Sequence, residues 1–454
     1  MAKKKVVIVG ASHGGHEAAL ELLDRYEDVD VTVYEAGDFV SFMSCGMKLF
    51  LEGKTTGRDN VRNFAPADLE KVGGKVINNT AAVRLNPAAK TLEVENAGKR
   101  ETVSYDKLIL SVGVNAVSLD VPGKELDNLL LMRGYDWAGK IDQAAKNPAI
   151  KKVVVIGAGN GVAAVEALTL AGKDVTLIDT TKVPMQNFFN PEIIPTFEDE
   201  MKKHGVHVMM DTLVQGFEGQ DGKVTTVKTS NGDVAADLVI ETVGIVPNTD
   251  WLKGTLDLDK KGHIVIDNNF RTSAKDVYAI GDATLPFSIP ANTRMPIPSA
   301  AAVRHEAKSV VDHLFEDKPS APFKGLVGGQ VLELFDQHAV STGLTVRGAG
   351  FAGIKATSSY YEDHLRPKFI PEADNPIVKV SLTYNEFSHQ LLGANIVSSH
   401  DVTGIANVFS LAIGQKLTLE DLVDQDFFFS PSYDKQWNLV NLSARHALGW
   451  RDFE

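Results

Sequence analysis

Lys5-Val6-Val7-Ile8-Val9-Gly10-Ala11-Ser12-His13-Gly14-Gly15-His16-Glu17 opens the chain, and Val29–Glu35 follows it. The apolar, β-branched run Val6–Val9 reads as a buried strand. The glycine-rich turn after it leads into a helix through Leu23, and Val29–Tyr34 reads as a second strand that closes at Glu35. This is a βαβ unit built for a dinucleotide. Gly10 makes the tight turn, and Gly15 lets the helix lie close to the strand. Ser12 stands in the place of the middle glycine and is small enough to leave the phosphates room. The helix N-terminus is predicted to hold the pyrophosphate, and Glu35 to bond the adenosine ribose.

The design then recurs. Lys151–Ile156 is a predicted strand, Gly157-Ala158-Gly159-Asn160-Gly161-Val162 a glycine turn, and a helix to about Gly172 leads to Val175–Ile178 and Asp179. The later apolar strand repeats too, as Asp106–Gly113 and as Asp237–Gly244. Two such units predict two dinucleotides. Asp179 without a closely following arginine favours NAD over NADP, because the carboxylate suits a free ribose hydroxyl. The second turn is one residue short: its third glycine is expected at position 162 but falls at Gly161, which places Val162 at the packing position.

Between the units, Asn78–Glu95 reads as strand, turn and strand, and Val121-Pro122-Gly123 as a linker. Val277–Ile280 is an apolar run ending in Gly281-Asp282. It sets a carboxylate at the C-terminal end of a strand, where ligands bind in open α/β sheets. A helix over Ser299–Leu314 carries Arg304 and His305. From about Lys324 the pattern changes to strands with longer polar connections, a helix near Asp401–Ile413, and the aromatic run Phe427-Phe428-Phe429 with Tyr433 and Trp437. Aromatics clustered in a late segment predict an interface or a lid. The expected fold class is α/β, with two Rossmann-like dinucleotide-binding domains and a C-terminal α+β domain that supplies this interface or lid.

Cys45 is the sole cysteine among 454 residues. The apolar Phe39–Phe42 stretch ends just before it, and Gly46–Gly53 reads as a short amphipathic helix. A thiol at a helix N-terminus is expected to have a lowered pKa. The alternative is a buried structural cysteine. With no resolving thiol in the chain, an oxidised Cys45 must be reduced by a cofactor.

A net charge of −13 argues against a nucleic-acid partner. No apolar run approaches a membrane span. The lysines of Met1–Lys5 precede too short an apolar run for a signal peptide, so no export is expected. A single cysteine fits the cytoplasm. No metal centre is expected.

Ser41-Phe42-Met43-Ser44-Cys45-Gly46, Thr272–Asp282 and Phe427–Trp437, taken with the two nucleotide units, resemble the flavoprotein pyridine nucleotide–disulfide oxidoreductases over nearly the whole chain. Within them the chain is similar to the single-cysteine branch of NADH peroxidases, water-forming NADH oxidases and coenzyme A disulfide reductases. The stretch Ser12–Glu17 is most similar to the peroxidases. The resemblance implies FAD in residues 1–119 and 251–323, NADH in residues 120–250, and a homodimer or dimer of dimers through residues 324–454. It implies that Gly10, Ser12, Gly15 and Glu35 hold the FAD adenosine and pyrophosphate, and that Asp282 holds the ribityl chain. Gly157, Gly159 and Asp179 then serve NADH. It further implies that Cys45 cycles between thiolate and sulfenic acid beside His13, with Arg304 near that histidine. Asn160 stands near the family's flavin-covering tyrosine, and Glu166 falls later on the helix than the family's glutamate.

The expected activity is FAD-dependent NADH peroxidase, reducing hydrogen peroxide to water. The alternatives are a water-forming NADH oxidase using O2, a coenzyme A disulfide reductase with Lys48 and Lys54 near its bulky substrate, and a flavoprotein redox sensor with an impaired NAD site. Arg304 also has a plain reading as a surface ion pair, His13 as a capping residue, and Lys54 as a solvated lysine. His16 and His305 read as structural.

Overall fold

A computed structural model describes residues 3–62, 64–316 and 321–451. Strands Lys4–Val9 and Val29–Tyr34 flank the helix His13–Arg25. They pair in parallel, with Val6 opposite Val31 and Val9 opposite Tyr34. Lys107–Leu110 lies on the other side of the first strand, and Val277–Ala279 completes that edge from far along the chain. The first sheet is therefore parallel, five-stranded and discontinuous in sequence. Its strands are near-continuous Val, Ile and Leu because both faces are covered. Val6, Ile8, Val31, Leu108 and Ile109 are inaccessible to solvent.

The second sheet repeats this order. Lys152–Ile156 is central, flanked by Asp174–Ile178 and Leu238–Glu241, with His207–Met209 and Leu129–Leu131 at the edges. The third sheet is antiparallel and five-stranded, formed by Gly329–Leu334, Gln337–Gly343, Leu391–Ser398, Ile377–Asn385 and Ala356–His364 in that spatial order. Its central strand Leu391–Ser398 is buried throughout, and the helix Thr403–Gly414 packs on it.

Boundaries follow local chemistry. The helix Ala300–His313 starts where the Ser299 hydroxyl accepts from the Ala302 N–H. The region 78–95 forms two strands, Ala81–Asn86 and Thr91–Asn96, and a third, Lys99–Ser104, joins them. That third strand carries an almost wholly exposed, charged face, so it lacks the apolar alternation by which a strand is read.

Candidate active site

The first glycine turn is held by contacts that only glycine permits. Gly10 has φ +93°, and a Cβ there would lie 2.3 Å from the Ser111 carbonyl oxygen. A Cβ on Gly15 would lie 1.8 Å from the Gly10 carbonyl oxygen, so this glycine sets the helix against the strand. The Glu35 carboxylate accepts from the Ala11 N–H (2.7 Å) and the Gly37 N–H (2.9 Å). Ser12, at the helix N-cap, makes no side-chain capping bond. The first-turn N–H groups and the helix dipole are thus available to an anion.

The second turn copies this arrangement with one residue fewer. Gly157 has φ +108°, and its Cβ would lie 2.6 Å from the Thr242 carbonyl oxygen. A Cβ on Gly161 would lie 2.1 Å from the Gly157 carbonyl oxygen, the counterpart of the Gly15 contact. Gly161 therefore occupies the packing position, not Val162, which instead begins the helix Val162–Leu170. The deletion falls between Gly159 and Gly161, and the close approach is kept by the residue that can make it. Asp179 accepts from the Ala158 N–H (2.6 Å) and the Thr181 N–H (2.7 Å), as Glu35 does in the first unit. The Asn160 side chain accepts from the Gln330 side-chain amide (3.0 Å), which ties the short turn to the third sheet.

A cleft of about 2050 Å³ runs between these turns. Gly10, Ser12, His13, Glu35, Cys45, Asp282 and Gly159 line it together. Gly15, Gly157 and Asp179 stand behind the lining and hold the turns. Arg304 is also outside it: its guanidinium pairs with Glu17 (2.9 Å) and is half exposed, so it makes the plain ion pair. His305, read from the sequence as structural, lines the cleft.

Cys45 lies in a single 3-10 turn, Ser44–Gly46, that leads into the helix Met47–Leu51, and its side chain is exposed to the cleft. The lowered pKa expected from the sequence is not found. Although one side of the thiol is open to the cleft, the protein packed around the sulfur desolvates it in part and pushes its pKa up, while the Cys45 and Gly46 N–H groups pull the other way. The helix is one short turn and a half, too small a dipole to outweigh desolvation. His13 is held below its ordinary pKa, chiefly by burial; Asp282 opposes that and Arg304 adds to it. His13 is thus neutral at pH 7. Arg304 acts on it through charge.

Two groups around Asp282 were not singled out in the sequence. Arg133, after the edge strand Leu129–Leu131, lines the cleft and pairs with Asp282 (3.2 Å). Glu306 is buried beneath the same turn and accepts from the Gly281 N–H (2.7 Å). Burial, with Asp282 nearby, raises its pKa to about 7. Neither had a local signal, since both gain meaning only through folding.

Beside Cys45, Lys48 pairs with Glu52 (2.7 Å), Glu166 (3.1 Å) and Glu333 (3.4 Å). Lys54 pairs with Glu52 (3.0 Å) and Glu333 (3.7 Å), so its nitrogen is engaged although half exposed. This cluster draws a charge from each of the three sheet units. Glu166 is raised by burial and lowered by Lys48.

These groups fit FAD. The Gly10–Gly15 turn offers a close backbone and a free helix N-terminus, Glu35 an acidic clamp, and the cleft room for an extended dinucleotide. The buried Ser41 hydroxyl, with no hydrogen-bond partner among the described residues, faces the same cleft.

Residues 4–305 match the pyridine nucleotide-disulphide oxidoreductase family. An NADH oxidase of Enterococcus faecalis is 34% identical over 448 residues, covering 98% of this chain and 99% of that one. A coenzyme A disulfide reductase of Staphylococcus haemolyticus is 26% identical over 449 residues, covering 98% and 99%. The solved structure of the water-forming NADH oxidase from Lactobacillus brevis, bound to NADH, superposes with a TM-score of 0.93 at 33% identity, covering 98% of each chain. With its two parallel nucleotide units and single cysteine, this chain belongs to the pyridine nucleotide-disulphide oxidoreductase family, as an FAD-dependent, NADH-using oxidoreductase.

Proposed function

We propose that the protein is a water-forming NADH oxidase, in which two NADH, two protons and O2 give two NAD⁺ and two waters. The observation that carries this reading is the lone Cys45 thiol, open to the cleft that also holds His13 and Asp282. The relatives named as NADH oxidases favour O2 over added peroxide as the oxidant. FAD, when bound, supplies the electron relay between NADH and the oxidants. Gly10, Ser12, Glu35 and Asp282 hold it, and Gly157, Gly159 and Asp179 serve NADH.

Cys45 removes the peroxide that two-electron reduction of O2 produces. Its thiolate takes one peroxide oxygen, the O–O bond breaks, and hydroxide leaves as Cys45 becomes sulfenic acid. Two electrons and one proton then return the sulfenic acid to thiolate and release water. Neutral His13 donates a hydrogen bond to the leaving oxygen, and the N–H groups of Cys45 and Gly46 stabilise the sulfur anion.

The peroxidase reading uses the same residues but starts from external peroxide. Coenzyme A disulfide reduction fits less well, because Lys48 and Lys54 are committed to glutamates rather than open to a nucleotide thiol. A sensor with a defunct NAD site also fits less well, since Gly161 and Asp179 rebuild the short turn. The exposed Phe428 and Tyr433 point to homodimerisation through the third sheet unit. No helix among the described residues is long and apolar enough to cross a membrane, and we place the enzyme in the cytoplasm.

The test is oxygen and NADH consumption measured together. Two NADH per O2 with no hydrogen peroxide accumulating supports the proposal. Anaerobic NADH consumption on adding peroxide, with little O2 uptake, would return the peroxidase reading.

A further inference from the structure

The segment 185–190 connects the second nucleotide turn to the third sheet through a buried polar network. At one end, the Met185 N–H donates to the Ala158 carbonyl (2.9 Å), inside the glycine turn. Met185 has φ +59° in a buried position, a conformation rarely adopted without support from its surroundings. The Phe188 N–H donates to the Met185 carbonyl (2.8 Å). The Phe188 ring edge stands 3.2 Å from where a Cβ of Gly159 would lie, and both residues line the cleft.

At the other end, the Asn395 side chain grips the backbone of this segment at two points. Its oxygen accepts from the Asn190 N–H (2.8 Å), and its nitrogen donates to the Phe188 carbonyl (3.3 Å) and to the Ser341 hydroxyl (2.9 Å). Asn190 is equally committed. Its nitrogen donates to the Ser381 and Thr383 hydroxyls (3.0 and 2.8 Å), and its oxygen accepts from the Val346 N–H (2.9 Å). Ser341, Asn395 and Ser381 lie opposite one another across three adjacent strands. Asn190, Asn395, Ser381 and Thr383 are all at most 2% exposed.

Such a network contributes little net stability over apolar packing but fixes one geometry, because an unmade bond leaves a buried donor or acceptor unsatisfied. Here the geometry fixed is that of Phe188 against Gly159, where a nucleotide backbone must approach. We propose that Asn190 and Asn395 are positioning residues for the pyridine nucleotide site, so that the third sheet sets NADH affinity from behind. This rests on the reading that NADH binds at the Gly157–Gly161 turn.

The test is calorimetric titration of flavin-loaded protein with NAD⁺, with steady-state NADH kinetics alongside. Asn395→Ala leaves the Asn190 N–H and the Phe188 carbonyl unpaired, and about a tenfold weaker NAD⁺ affinity is expected, the equivalent of one buried hydrogen bond. The KM for NADH rises with it, while flavin content and the alkylation rate of Cys45 by iodoacetamide stay as in the wild type. Thr383→Val replaces one hydroxyl by a methyl of the same shape, outside the cleft lining, and about a threefold loss is expected. Should Asn395→Ala fail to fold, Thr383→Val decides. An unchanged NAD⁺ affinity in a folded variant overturns the coupling alone. A wild type that binds no NAD⁺ overturns the nucleotide assignment, and this inference with it.

Discussion

The Arg133 guanidinium lies 3.2 Å from the Asp282 carboxylate, so the second nucleotide unit neutralises an acid that the first unit presents to the cleft. Between the two parallel sheets, this pair brings a charge of each sign to the cleft wall. A cofactor hydroxyl that donates a hydrogen bond to Asp282 must share it with Arg133.

Asp282→Ala removes that acceptor and leaves Arg133 without its partner. Flavin retention is expected to weaken by about tenfold or more, as when one member of a hydrogen-bonded charge pair is truncated. The ratio of flavin absorbance to protein absorbance after gel filtration measures it. Flavin content equal to the wild type would remove Asp282 from the cofactor site.

Cys45→Ser keeps the side-chain size but not the redox chemistry. The variant is expected to retain flavin and to consume NADH while releasing hydrogen peroxide, about one per NADH oxidised. A peroxide assay during turnover reads this directly. Continued water formation would show that the sulfur is not the peroxide-reducing group.

Lys48→Met leaves the buried Glu166 carboxyl without its cation. A loss of about 3 kcal/mol in unfolding free energy at pH 7 is expected, the cost of breaking a buried pair from one side. Glu166 is a carboxyl already raised by burial, so the folded form holds its proton above the unfolded value. The penalty therefore grows as pH rises from the ordinary carboxylate range and shrinks as pH falls. Glu166→Gln added to Lys48→Met is expected to restore most of the loss in urea melts. Equal stability of the two Lys48 variants would contradict this assignment.

His16 is 1% exposed and stacks on Phe64, with neither ring nitrogen hydrogen-bonded among the described residues. Burial lowers its pKa to about 4. The unfolded chain takes up this proton near its ordinary value while the folded chain refuses it. Stability from His16 is thus full above about pH 6.5 and is lost as pH falls toward about 4. Melting temperatures from pH 7.5 to 4.5 should show a steeper acid decline in the wild type than in His16→Phe. Parallel curves would rule out His16 as the source.

Phe428 is 96% exposed and Tyr433 77% exposed, in a segment with few reasons to display aromatics to water. Light scattering is expected to give a dimer. The paired change Phe428→Ser with Tyr433→Ser should shift it toward monomer. A monomeric wild type would leave those rings without an explanation in this fold.

The parallel sheets were legible because each central strand is a continuous apolar run that ends in a glycine turn, and the strand after the helix closes at an acid. Gly10, Glu35, Gly157 and Asp179 sit where that grammar puts them. Legibility failed where a residue's role depends on what the fold brings to it. Val162 was assigned by counting, but the packing contact is made by Gly161, because a close approach selects the residue without a side chain rather than a position. Cys45 was judged by its helix, whereas desolvation of its sulfur outweighs so short a dipole. Arg304 and His305 are neighbours on one helix, and only their place on it decides that Arg304 turns to Glu17 while His305 reaches the cleft. Arg133, Glu306 and Asn395 depend on partners far along the chain, which no local pattern records.

The shortened second turn also has a consequence for engineering. A helix advances by about 100° per residue, so a deletion ahead of Val162 re-indexes every side chain on the helix that follows. Glu166 reaches Lys48 under this indexing. A substitution on this helix copied from a relative with a full-length turn, and located by counting from the first glycine, would land one residue away on the neighbouring helical face. Counted instead from Gly161, the same change keeps its place relative to the contact that sets the helix against the strand.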